Sequence, residues 1–387
     1  MSLHRSSFHS LSIGFLSLGL LASFTFAMGC GSKPAAGSAS SPSSSSGSSS
    51  SAGSSDAGSS SSGSSVGTPI ATVKLPDGVA TVGANTTTNT VYVLDPNFPN
   101  QKTGSLAIVD AKTDTVETTV SLPAYPSGIA IDESTNMVYV SNYIANSVSV
   151  LNGATNTIVA NVAVGDAPTS IAVDPATDMV FVANLLDGTL SVVSGKTNAV
   201  VATVPVGNRP QAVAVNSAAG LVYVANSADD TVSVISEQTD EVVDLWEVVK
   251  PVNGNTPPPQ RPFALVLNAV SNNLYVANFT AGTVAVLDGS TGTIKTTITV
   301  GTEPNGIVLD NTTQTLYVSN LYSESISMIN AATGVVEKVN GFIGVGSSYG
   351  IAVDSVTHSI FVTENHVGDG TVDTFYGTLN VFQGMTN

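Results

Sequence analysis

From about residue 69 to residue 387 the chain alternates short apolar runs, rich in Val, Ile, Tyr and Phe, with clusters of Gly, Asn, Asp, Thr and Ser. Runs this short, bounded by turn-forming residues and enriched in β-branched side chains, predict strands rather than helices. One clean unit shows the pattern. Ser170–Asp174 predicts an innermost strand, Met179–Ala183 a second, Thr189–Val193 a third and Val200–Val206 an outermost one. Between them stand Asp-Pro-Ala-Thr, Asn-Leu-Leu-Asp-Gly and Gly-Lys-Thr-Asn, each suited to a tight turn. The middle runs are apolar without a break, as strands covered on both faces are.

This unit recurs. An aromatic residue, Val, one further residue and then usually Asn appears at Tyr139–Asn142, Phe181–Asn184, Tyr223–Asn226, Tyr275–Asn278 and Tyr317–Asn320, with degenerate copies at Tyr92–Asp95 and Phe361–Asn365. Subtracting successive anchor numbers gives steps of 47, 42, 42, 52, 42 and 44 residues. A period near forty with four strands per unit predicts an all-β propeller, here of seven four-stranded antiparallel blades. The last unit has an innermost strand before Phe361 and a third strand at Thr378–Phe382, but no outermost strand after it. Residues 70–75 match an outermost strand and precede the first unit, so they are expected to complete the last blade and close the ring.

The Tyr/Phe-Val-x-Asn repeats resemble the YVTN family of seven-bladed propellers, found in exported and surface proteins of bacteria and archaea. The resemblance covers the chain from about residue 69 onward. It implies the fold and leaves activity open, because related propellers include surface-layer proteins, lactonases and cofactor-handling proteins.

The leader adds an address. Arg5 precedes an apolar run from Leu11 to Ala27, short for a membrane span and laid out like an export signal. It ends in Ala27-Met28-Gly29-Cys30, which resembles a bacterial lipobox, with Ala27 where that pattern most often has Leu. Residues 1–29 are therefore expected to be a lipoprotein-type signal peptide and Cys30 the lipidation site. Cys30 is the sole cysteine, so it has no internal disulfide partner. Residues 30–68 are mostly Ser and Gly, a tether unable to bury enough apolar surface to order itself, with a reach of roughly 30–35 Å. The expected location is outside the cytoplasm, on the cell envelope, with the membrane touched only through the lipid on Cys30.

Charge narrows the partners. Charged residues are 10% of the chain, and 11 Lys and Arg against 28 Asp and Glu leave a net −17. The cations are scattered, which excludes the concentrated basic face that nucleic acid requires. Two histidines in the repeat region cannot build a His-rich copper centre. Haem-attachment and phosphate-loop sequences are missing from the chain.

Departures from the repeat mark where function is expected. Longer segments fall at 95–104, 249–262 and 364–377, in blade-to-blade links and second-to-third-strand loops, which share one face of a propeller. The residues before the recurring link Pro vary: Tyr125, Ala167, Arg209, Arg261 and Glu303. With Tyr143, Phe279 and Tyr322, which follow the anchors, they are expected to line the channel mouth. Arg beside aromatic rings suits an anionic or sugar-like ligand. Glu364, His366, Asp369 and Asp373 form the one set with carboxylate and imidazole donors, able in principle to hold Ca²⁺ or Zn²⁺ or to serve as acid and base; a solvated acidic loop without a cofactor is the simpler expectation. His358, on the opposite face, is expected to be a surface residue, and the anchor Asn residues, with Asp174 and Asp288, to be turn formers. The first functional expectation is an envelope-anchored binding or scaffold module for a protein, glycan or small ligand. The alternatives are a lactonase-like hydrolase at the channel mouth and a structural surface-layer component.

Overall fold

The computed structural model describes residues 69–75, 78–97, 103–249, 258–341, 346–367 and 375–385. These hold twenty-eight strands, in seven sheets of four. The first strand, β1 (Ala71–Leu75), precedes blade one, which is β2 (Val82–Asn85), β3 (Thr90–Asp95), β4 (Gly104–Asp110) and β5 (Thr115–Leu122). Blade two is β6 (Pro126–Asp132), β7 (Met137–Asn142), β8 (Ser147–Asn152) and β9 (Thr157–Ala163). Blade three is β10 (Pro168–Asp174), β11 (Met179–Asn184), β12 (Thr189–Ser194) and β13 (Ala199–Pro205). Blade four is β14 (Pro210–Asn216), β15 (Leu221–Asn226), β16 (Thr231–Ser236) and β17 (Glu241–Glu247). Blade five is β18 (Pro262–Asn268), β19 (Asn273–Asn278), β20 (Thr283–Asp288) and β21 (Ile294–Thr299). Blade six is β22 (Pro304–Asp310), β23 (Thr315–Asn320), β24 (Ser325–Asn330) and β25 (Val336–Gly341). Blade seven joins β26 (Gly346–Asp354), β27 (Ser359–Val367) and β28 (Phe375–Gln383) to β1, in the order β26-β27-β28-β1. Its β1–β28 register runs from Ala71 opposite Val381 to Leu75 opposite Gly377.

The innermost strands β2, β6, β10, β14, β18, β22 and β26 contact one another in that order, and β26 returns to β2. The fold is a seven-bladed β-propeller.

Strand alternation builds its core. On β11, Val180 and Val182 point toward blade two and join a cluster with Tyr139, Val148 and Val150. Phe181 and Ala183 point the other way and join Val213, Val222 and Val224 of blade four. Seven such clusters lie between the seven successive pairs of blades. Each blade is thus a two-sided apolar layer, which is why its middle strands carry no polar alternation.

Proline and bulges repeat with the blades. In blades two to six the innermost strand opens on a Pro, and the pairing with the second strand slips just after it. Pro has no N–H for the ladder, so it sits at the strand's first residue with a bulge beside it. The third and fourth strands slip once in every blade from one to six. The extra twist turns the outermost strand away from the stack.

Candidate functional site

The two loop classes expected on one face are tied together there by hydrogen bonds. Tyr125, Ala167, Arg209, Arg261 and Glu303 stand immediately before the link Pro with φ of +58°, +55°, +55°, +53° and +56°. A side chain in the left-handed region is unfavourable, and a following Pro makes a helical backbone more so. A clip stabilises each one. Their carbonyls accept the backbone N–H of Tyr143 (2.7 Å), Leu185 (3.0 Å), Ser227 (3.0 Å), Phe279 (3.0 Å) and Leu321 (2.9 Å), the first residue of the second-to-third loop in the same blade.

Loop side chains hold the links in turn. Asn146 Oδ1 accepts Ala167 N–H at 3.0 Å, and Asp230 Oδ1 accepts Arg261 N–H at 2.7 Å. Asp187 Oδ2 accepts Asp166 N–H and Asp229 Oδ2 accepts Asn208 N–H, both at 2.6 Å. The result is a collar whose backbone is pinned and whose side chains differ from blade to blade.

The anchor Asn residues brace the loops from beneath. Asn184 Nδ2 donates to Thr189 Oγ1 (3.0 Å) and Ser191 Oγ (2.9 Å). Asn226 donates to Thr231 and Ser233 in the same way, and its Oδ1 accepts Gly207 N–H at 3.1 Å. A Cβ on Gly207 would lie 2.5 Å from the Asn226 side chain, which is why the link has Gly there. The anchor Asn side chains are fully buried and brace the turns.

Not all the expected lining residues come together. Tyr125 and Tyr143 form a tilted pair with centroids 5.8 Å apart in blade two. In blade five the Arg261 guanidinium lies 5.7 Å from the Phe279 ring, and Phe279 packs on Phe263 at 5.2 Å. Phe279 and Tyr125 are buried, whereas Tyr322 is 77% exposed. The collar thus mixes a seated aromatic layer with projecting side chains, Ile144, Leu186 and Tyr322. Arg209 and Glu303 are half-buried in their links, and among the described residues neither the Arg209 nor the Arg261 guanidinium forms a salt bridge.

Glu364 differs from its expected setting. It is not in a loop but inside β27, opposite Thr378 of β28 and Ser348 of β26, and it is 3% exposed. The hairpin is extended by its strands: β27 has nine residues where β23 has six. In register Glu364 occupies the anchor Asn position of blade seven. Burial pushes its carboxyl up to about 7; a hydrogen bond with Asn380 opposes this and the charge of Glu324 adds to it. The side chain of His366 and residues Asp369 and Asp373 lie outside the described residues, as do the 98–102 and 250–257 segments. Among the described residues no group of three or more His, Cys, Asp or Glu is placed to hold a metal ion.

His358, expected as a plain surface residue, is a partner between blades. Its Nδ1 lies 2.7 Å from Oδ2 of Asp310, whose side chain is fully buried in blade six. The signal was present in the repeat: the last residue of an innermost strand bonds to the fourth turn residue of the next blade. Asn85 Nδ2 donates to Asn136 (3.0 Å), Asn216 to Asn272 (3.2 Å) and Asn268 to Gln314 (2.7 Å). Asp310 and His358 are the same pair of positions.

No family model matches the chain, and no curated protein is similar to it.

Proposed function

We propose that the chain is a binding module of the cell envelope, anchored by lipid on Cys30, that takes its ligand on the collar of links and second-to-third loops. One observation carries this reading: five link residues of different chemistry stand in the same costly left-handed conformation, each clipped to the adjacent loop. Variable side chains on a pinned backbone are what a recognition surface needs, because little order is left to lose on binding. The guanidinium groups of Arg209 and Arg261 in adjacent blades, without a salt bridge among the described residues, together with Phe263 and Phe279, favour an anionic sugar.

The test is a thermal-shift panel of acidic and neutral oligosaccharides and inorganic phosphate. An acidic oligosaccharide should raise the melting temperature of the wild type, and Arg209→Ala with Arg261→Ala should abolish the rise. A rise that survives the double change removes the collar cations from the reading. For the anchor, metabolic labelling with radioactive palmitate should mark the wild type and not Cys30→Ala.

A second reading, a lactonase-like hydrolase, rests on Glu364, a carboxyl held near neutrality and so matched to acid–base work. It requires ring-opening of a γ- or δ-lactone that is lost in Glu364→Gln. Turnover unchanged in that variant ends the reading.

A further inference from the structure

The junction between blades three and four breaks the repeat at three positions at once. At four other junctions the innermost strand ends in a residue bonded to the fourth turn residue of the next blade, as in Asn216–Asn272. Here that turn residue is Gly220, which has no side chain to offer. At the next two junctions the anchor Tyr hydroxyl reaches the turn between third and fourth strands of the next blade: Tyr223 donates to Gly289 O (2.6 Å) and Tyr275 to Ala331 O (2.8 Å). Here the anchor is Phe181, without a hydroxyl. The first residue of that turn is Ala111, Gly153, Gly195, Gly289 or Ala331 in the other blades, and here it is Glu237.

Glu237 reaches across a junction that has neither of these links. Its carboxyl lies beside that of Asp174, which ends β10 in blade three and is 1% exposed, and one hydroxyl reaches both. Thr177 Oγ1 donates to Asp174 Oδ2 at 3.2 Å and lies 3.4 Å from Glu237 Oε2. Ser217 Oγ of blade four donates to Asp174 Oδ1 at 2.7 Å. Glu237 Oε1 is sealed from solvent with no donor on it. Two carboxyls buried side by side resist double ionisation, and a single proton lets one donate to the other.

We propose that the blade three–four junction is a proton-dependent seam, in which Glu237 and Asp174 bridge the blades through one shared proton and its loss sets two carboxylates against each other. The proton resides on Glu237. Burial pushes Asp174 up, but hydrogen bonds from Ser217, Ala176 N–H, Glu237 and Thr177 outweigh it and hold that carboxyl below its ordinary value. Burial, then the hydrogen bond and charge of Asp174, push Glu237 up to about 7, with a further contribution from the charge of Asp240. Asp174 and Asp240 are the titratable groups that face Glu237; among the described residues no Lys, Arg or His pairs with either carboxyl of the bridge.

The sign follows from linkage. A carboxyl raised in the folded protein contributes stability that is complete below its unfolded value of 4.5 and lost as pH rises through about 7. Melting temperatures of the wild type and of Glu237→Gln, measured from pH 4 to 9, test this. Gln keeps a permanent donor toward Asp174. The variant's advantage over the wild type should open above about pH 4.5 and level off above about 7, at roughly 2–4 °C. Parallel profiles across that range overturn the proposal. As a local readout, amide exchange in the turns 175–178 and 217–220, corrected for intrinsic rate, should quicken above pH 7 in the wild type and not in Glu237→Gln. Quickening that is equal in both proteins overturns it too.

Discussion

Two glycines at the same repeat position separate what backbone conformation costs from what packing costs. Gly292 and Gly334 each close a third-to-fourth turn with positive φ, +66° and +70°. A Cβ on Gly292 would lie 2.2 Å from Trp246 Cγ, while one on Gly334 would meet only Ile298 Cδ1 at 3.6 Å. Gly334→Ala should therefore cost about 1 kcal/mol, the left-handed penalty alone. Gly292→Ala should cost about 2–4 kcal/mol, because Trp246 is buried, packed in a tilted pair with Tyr223 at 5.5 Å and bonded through Nε1 to Asp244. Chemical denaturation of the two variants checks the order. Anchor amides give a similar contrast. Asn226→Ala removes bonds to Thr231, Ser233 and Gly207 and should cost about 1–3 kcal/mol, more than Asn278→Ala, whose amide bonds Thr283 at 3.3 Å. Equal losses would show that the braces act through shape alone.

At the scale of the strand, the closing hairpin is where chemistry and order meet. Asn380 of β28 accepts from Thr72 of β1 at 2.8 Å and hydrogen-bonds Glu364 of β27, so a buried acid is linked through one amide to the N-terminal strand. Because Glu364 is raised to about 7, its stabilising contribution is complete below 4.5 and lost as pH rises through about 7. Glu364→Gln should thus match the wild type at pH 4 and exceed it by about 1–3 kcal/mol at pH 8, in urea titrations at the two pH values. A gain at pH 4 as large as at pH 8 would refute the assignment. The sequence placed strands, turns and period in this region well, because period-two patterning and Asn-Thr turns are local. It misplaced Glu364 as a loop residue, since a polar Glu-Asn-His run looks like a loop unless cross-strand partners are known.

For the whole ring, stability is shared among seven successive interfaces, and the last of them depends on β1. Val73 is buried at the junction of blades seven and one with Leu379 and Val381. Val73→Asp should lower the melting temperature more than the same change at the 40%-exposed Val242 of outermost strand β17, and should promote aggregation through the uncovered edge of β28. Light scattering on heating checks this. Between blades six and seven, His358→Ala leaves the buried Asp310 without its imidazole and should cost about 1–2 kcal/mol.

The amino-acid sequence by itself determined the strand class and the count of blades, because both are written in local periodicity and spacing. Only the tertiary structure decided which residues serve the junctions. Phe181, Gly220 and Glu237 are separate departures along the chain and become one seam when blades three and four pack together. His358 and Asp310, 48 residues apart, become partners for the same reason. Residues one repeat apart along the chain come to face each other across blades, and a one-dimensional pattern does not state which side of a strand meets which neighbour.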